Sequence, residues 1–94
     1  MDNNWKNKRI LITGVCGTIG QELLSQITQH EPAEIVGIDN NETELFFLKE
    51  KHKSNRDIQL GLGDLRDYGK LLNKMRGIDI VLHTAALKHV GLCE

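Results

Sequence analysis

Gly14, Gly17 and Gly20 recur at every third position directly after the apolar run Ile10-Leu11-Ile12, and Gln21 to Ile27 follows with helical character. A glycine at the first place can take the backbone angles of a tight turn. One at the second lets an anionic group approach the main chain without meeting a Cβ, and one at the third lets a new helix pack closely on its strand. The chemistry open to such a turn is anion binding. A helix N-terminus presents unpaired N–H groups carrying roughly half a positive charge, and a pyrophosphate is a matching ligand. Thr13, Cys16, Thr18 and Ile19 fill the same stretch and join the three glycines as candidate contacts of a dinucleotide. Three glycines alone are also compatible with an ordinary flexible turn; the strand before them and the helix after them favour the phosphate reading.

The second candidate is Asp39, which closes the apolar run Glu34 to Asp39 and lies 19 positions beyond Gly20. A dinucleotide fold puts the acid that binds the adenosine ribose roughly 20 residues on. A carboxylate there accepts hydrogen bonds from ribose hydroxyls and repels a 2′-phosphate, so NAD is the expected cofactor, with NADP possible. Asn40 is its companion in the turn, and Lys49 and Lys51 lie too far along the chain to compensate a phosphate easily. The alternative is that Asp39 caps the next helix. Asp64 and Leu65 end a third strand-like run, where a carboxylate and a backbone N–H can meet an adenine; a plain turn aspartate is the alternative. Ala85 and Ala86 are small enough for close backbone approach to a cofactor.

These residues require an alternating architecture. Ile10 to Ile12 reads as a strand buried on both faces. Ile19, Leu23 and Ile27 share helical spacing, and His30-Glu31-Pro32 ends that pattern because proline lacks an N–H and disfavours helix before it. Glu34 to Asp39 is the second strand. Asn41 and Glu44 form a capping pair for a helix led by Leu45, Phe46 and Leu48, which fades over Glu50 to Lys53; Phe46 and Phe47 are expected in core and edge packing. After a loop at Ser54 to Arg56, Ile58 to Leu62 is the third strand. Asp67 is expected to cap a helix with Leu71, Leu72 and Met75 inward and Gly77 at its end, and Ile78 to His83 is the fourth strand. Right-handed crossovers with a reversal after the third strand give order 3-2-1-4, the N-terminal βαβαβαβ half of a Rossmann-type doubly wound α/β sheet. The glycine turn, Asp39, Asp64 and Ala85-Ala86 then share one edge.

Composition narrows the partners. The chain has 94 residues and a formal net charge of −1, so no basic field points to nucleic acid or an anionic membrane. Two cysteines, Cys16 and Cys93, suggest neither a disulfide framework nor a metal site, and suit a reducing cytoplasm. No apolar run approaches the roughly 20 residues that span a bilayer. The length fits the N-terminal part of a cofactor-binding domain, residues 1–94, with the catalytic and substrate-binding remainder expected elsewhere. His30 and His52 read as exposed, and His83 as structural.

At Thr13-Gly-Val-Cys-Gly-Thr-Ile-Gly20, Asp64-Leu65 and His83-Thr-Ala-Ala-Leu-Lys-His-Val-Gly-Leu-Cys-Glu94 the chain resembles extended short-chain dehydrogenase/reductases that modify nucleotide sugars. The segment from Ala85 to Val90 is similar to the polysaccharide-biosynthesis branch, the UDP-N-acetylglucosamine 4,6-dehydratases. The resemblance implies an NAD(P)-dependent lyase that takes a hydride from sugar C4, lets water leave across C5 and C6, and returns the hydride to C6. It implies a nucleotide-sugar substrate, a homo-oligomer when intact, and roles for Lys88 against cofactor phosphates or ribose and, with His89 and Val90, at the sugar. A surface lysine is the plain alternative for Lys88. The family's acid and base groups lie in segments downstream of this sequence, so no catalytic residue and no metal ligand is expected within it. Gly91 replaces the usual proline and also resembles UDP-sugar 4-epimerases, the second reading; a non-enzymatic dinucleotide-binding fragment is the third.

Overall fold

Four residues in a row with no exposed surface, Ile10 to Thr13, are what a strand shielded on both faces looks like. They form β1 (Arg9–Thr13), and the computed structural model, which describes residues 5–63, 73 and 76–84, builds the rest around it. In chain order follow α1 (Thr18–Thr28), β2 (Glu34–Asp39), α2 (Glu42–Lys51), β3 (Ile58–Leu62) and β4 (Ile80–His83). The sheet is parallel, in the order β3-β2-β1-β4 expected from the sequence. Ile10 and Ile12 join Leu24 and Ile27 of α1, Ile35 of β2, and Leu45 and Leu48 of α2 in one apolar cluster. Leu11 and Thr13 alternate onto the other face of β1 and are equally buried.

The boundaries of β2 and β3 coincide with the expected ones. β4 starts two residues later than the sequence suggests. Gly77 turns the chain with φ +74°, and Asp79 then pairs with Arg9 in both directions, its carboxylate accepting from the Arg9 N–H at 2.9 Å and its own N–H donating to the Arg9 carbonyl at 2.8 Å. A side chain in place of a backbone acceptor delays the regular ladder. The helix expected between Asp67 and Gly77 lies largely outside the described residues.

Two expectations about helix faces need correction. The buried line of α1 is Gly20, Leu24 and Ile27, with Leu23 half-buried and Ile19 47% exposed. Gly20 sets that line because it touches the preceding turn, and Ile19, about 100° around the helix, is carried outward. In α2 the inward pair is Leu45 and Leu48, whereas Phe46 and Phe47 are each 61% exposed. With Leu45 and Leu48 facing the core, adjacent residues 46 and 47 fall on the outer side of the helix. The Asn41 cap is as expected: its Oδ1 accepts from the Glu44 N–H at 3.1 Å.

Candidate functional site at the glycine turn

The turn between β1 and α1 is held from three sides. Beneath it, the N–H groups of Gly14 and Val15 both donate to the Ile38 carbonyl, at 2.9 and 3.2 Å, which ties the turn to β2. From the β4 side, the Thr84 hydroxyl bonds the Thr13 carbonyl at 2.5 Å and lies 2.9 Å from the Gly14 carbonyl. From the helix side, Gln21 Nε2 donates to the Cys16 carbonyl at 2.7 Å. Val15 is fully buried and seats in the space left by Gly37 of β2, where a Cβ would come within 2.9 Å of a Val15 methyl.

The three glycines do different work. Gly14 has φ +72°, a conformation that side chains rarely adopt. A Cβ on Gly20 would collide with the Gly14 carbonyl oxygen and lie 2.8 Å from Val15 Cα, so this glycine is required by the helix's contact with the turn's backbone. Gly17 differs from both. It precedes α1 with φ −72° and ψ 169°, angles open to any residue, and among the described residues a Cβ there would meet only the Gly14 oxygen, at an ordinary 3.4 Å. Among the described residues nothing requires glycine at 17, and the space a side chain would fill is open. Above that space α1 begins without a side-chain cap and without an acid in its first turn, and the N–H groups of Thr18 and Ile19 have no partner among the described residues. The arrangement can take an anion.

Asp39 stands beside this opening. Its Oδ2 accepts from the Cys16 N–H at 3.0 Å and its Oδ1 from the Asn41 N–H at 2.9 Å, so one carboxylate clamps the glycine turn to the start of α2. Each oxygen keeps a further lone pair for a hydroxyl. Burial raises the Cys16 thiol to about 11, with Asp39 and then Glu44 adding to the shift, so Cys16 is a protonated filler of the turn and no nucleophile. At the end of β3 the Gly63 N–H donates to the Asp39 carbonyl at 3.0 Å, bringing the chain just before Asp64 alongside the same edge. Thr13 is buried, and its hydroxyl lies 3.1 Å from His83 Nδ1, an arrangement that fits the structural part expected of that histidine. Asn40 is exposed in the turn after β2. Asp64, Leu65, Ala85, Ala86, Lys88, His89 and Val90 lie outside the described residues.

The sequence reading missed Gly37 and Thr84. A glycine inside a strand is a recognised sign of close approach, and it was the available signal for Gly37. Thr84 gave no comparable sign, since its bonds reach 70 and 71 positions back along the chain.

Fold and turn together define a Rossmann-type, doubly wound sheet with the glycine turn and Asp39 at the carboxyl ends of its strands. The chain belongs to the polysaccharide biosynthesis protein family, whose sequence profile matches residues 10–94. It is 42% identical over 94 residues to an uncharacterised membrane protein of Methanocaldococcus jannaschii, covering 100% of this chain and 28% of that protein. It is 34% identical over 95 residues to the UDP-glucose 4-epimerase of Rickettsia bellii, covering 94% and 27%. To the inverting UDP-N-acetylglucosamine 4,6-dehydratase of Campylobacter jejuni it is 33% identical over 91 residues, covering 96% and 27%. The chain thus spans little more than a quarter of these relatives. Among solved structures, Pen from Bacillus thuringiensis superposes with a TM-score of 0.79 at 35% identity over 83% of this chain and 24% of its own. WbmF of Bordetella bronchiseptica, in complex with NAD+ and UDP, shares the fold with a TM-score of 0.69 at 14% identity, over 88% and 24%. No helix among the described residues is long and apolar enough to cross a membrane.

Proposed function

We propose that the chain is the NAD-binding portion of a nucleotide-sugar 4,6-dehydratase acting on a UDP-N-acetylglucosamine-like substrate. The observation that carries the cofactor half of this reading is Gly17, a glycine that its own backbone angles and the packing of the described residues do not need, at a helix start whose first N–H groups have no partner among those residues. In this reading Gly14 to Gly20 cradle the pyrophosphate, with Thr13 at the base of the turn. Asp39, with Asn40 beside it, accepts from the adenosine ribose and disfavours a 2′-phosphate. Asp64 and Leu65 receive the adenine, Ala85 and Ala86 leave room for the cofactor, and Lys88, His89 and Val90 serve the phosphates and the sugar. When bound, the nicotinamide supplies a hydride acceptor that is regenerated in each turnover. The acid and base groups for water loss belong to segments beyond this chain, which by itself binds the dinucleotide and does not turn over.

The likeness to the Campylobacter jejuni dehydratase and the polysaccharide-biosynthesis profile support dehydration. The likeness to UDP-glucose 4-epimerases, together with Gly91, supports epimerisation as the second reading. The two differ in product mass. The product of the complete gene, incubated with UDP-N-acetylglucosamine, is expected to release a sugar nucleotide lighter by one water; an isomer of unchanged mass would establish the epimerase instead.

A further inference from the structure

α2 turns an unusual face to solvent. Phe46 and Phe47, each 61% exposed, stand edge to face with ring centroids 5.5 Å apart, at the middle of the helix with four residues on either side. Two neighbouring exposed rings are a large apolar area to leave in water. Charge is unevenly divided along the same helix: Glu42 and Glu44 occupy the first turn, and Lys49 and Lys51 the last, with Glu50 between them and Lys53 just beyond the helix. Among the described residues, none of Glu42, Glu44, Lys49 and Lys51 takes part in an ion pair, and Lys53 reaches Glu50 at 3.7 Å.

We infer that this face docks a second copy of the chain, α2 against α2, antiparallel about a two-fold axis at the phenylalanine pair. A helix with an acidic first turn, two aromatic rings at its middle and a net basic last turn is complementary to its own reverse. At 100° per residue, Glu44 and Lys51 flank the face on the Phe47 side and Glu42 and Lys49 on the Phe46 side, while Thr43 and Glu50 lie on its midline, one to either side of the rings. The two-fold axis sets each flank against its own copy. Phe46 and Phe47 then pack on the same two residues of the second copy, Glu44 comes close to the partner's Lys51, Glu42 to the partner's Lys49, and Glu50 lies opposite the partner's Thr43. A parallel pairing puts acid on acid and lysine on lysine. The contact is isologous, as a closed dimer requires. One helix face is smaller than the roughly 800 Å² per partner of a standard interface, so the dimer is weak, and its exposed charges make it sensitive to salt.

Sedimentation velocity of the chain from about 10 μM to about 1 mM tests it. The weight-average mass is expected to rise toward twice the monomer value, with the midpoint moving to higher concentration as salt is added. Phe46→Ser with Phe47→Ser is expected to abolish the rise while leaving the helical circular dichroism unchanged. Lys49→Glu with Lys51→Glu, and separately Glu42→Lys with Glu44→Lys, are each expected to give monomers that dimerise when mixed. A wild-type chain that stays monomeric overturns the proposal. So does association that survives loss of both phenylalanines, or a mixture no more associated than its parts. A monomer that instead co-sediments with anionic lipid vesicles through Phe46 and Phe47 also overturns it, since the face would then serve a membrane surface.

Discussion

Gly17 and Gly20 lie three residues apart in one turn, yet adding a methyl group should act on different properties at each. At Gly20 the new Cβ meets backbone: the Gly14 oxygen, Val15 Cα at 2.8 Å and the Gly14 carbonyl carbon at 3.0 Å. Backbone cannot rotate away as a side-chain tip can, so overpacking costs about 3 kcal/mol, the upper part of the usual range. Replacing glycine by alanine inside a helix returns about 1 kcal/mol. The net loss for Gly20→Ala is about 2 kcal/mol, roughly 10 °C in Tm for a chain of this size. At Gly17 the backbone angles suit alanine and the nearest atom is at 3.4 Å. There the entropy gained through the unfolded chain, about 0.4–1 kcal/mol, offsets a comparable loss at the N-cap, and stability stays within about 0.5 kcal/mol of wild type. Binding should respond in the opposite way: Gly17→Val fills the space above the helix start and removes NAD affinity from a folded protein. Urea melts with calorimetric titration of each variant decide the matter. Equal destabilisation by Gly17→Ala and Gly20→Ala, or undiminished NAD affinity in Gly17→Val, would refute the reasoning.

Cys16, with its thiol raised to about 11 against an ordinary 9.0, should carry about a hundredfold less thiolate at pH 8 than a free cysteine. In a Cys93→Ser background its alkylation by iodoacetamide is expected to be slow at pH 8 and to climb about tenfold per pH unit toward 11; alkylation at the unfolded chain's rate would contradict this. Because the raised value penalises the folded thiolate, this group's contribution to stability is intact below pH 9 and is lost as pH rises toward 11, which denaturation midpoints across that range can check. Cys16→Ala is expected to leave NAD binding in place, and calorimetry measures it. Asp39→Ser with Asn40→Arg removes the ribose acceptor and adds a cation, and is expected to reverse the preference between NAD and NADP; paired titrations of wild type and variant read it directly. Asn41→Ala removes the acceptor of the Glu44 N–H and should cost about 1 kcal/mol in a urea melt.

The parts of this protein that were legible in the sequence are those written in short-range pattern. Apolar runs fixed the strands, glycine spacing fixed the turn, and alternation of strand and helix fixed the sheet order. The parts that were not legible depend on residues far apart in the chain. Spacing alone pointed to Ile19 for the buried stripe of α1, because it carries no information about the contact of Gly20 with the Gly14 oxygen. Asp39 drew a choice between ribose binding and capping; its carboxylate in fact bonds an N–H two residues on and another 23 residues back, and both bonds leave lone pairs free. The apolar character of Phe46 and Phe47 suggested packing, but adjacent residues on a helix cannot both join an inward line already held by Leu45 and Leu48.

In the function proposed here, the glycine turn and Asp39 hold a dinucleotide without a 2′-phosphate. Calorimetric titration of the wild-type chain with NAD and, separately, NADP is the most direct test. A single saturable site is expected, at which NAD binds at least about tenfold more tightly than NADP, the equivalent of about 1.4 kcal/mol. No binding of either dinucleotide, or tighter binding of NADP, would contradict it.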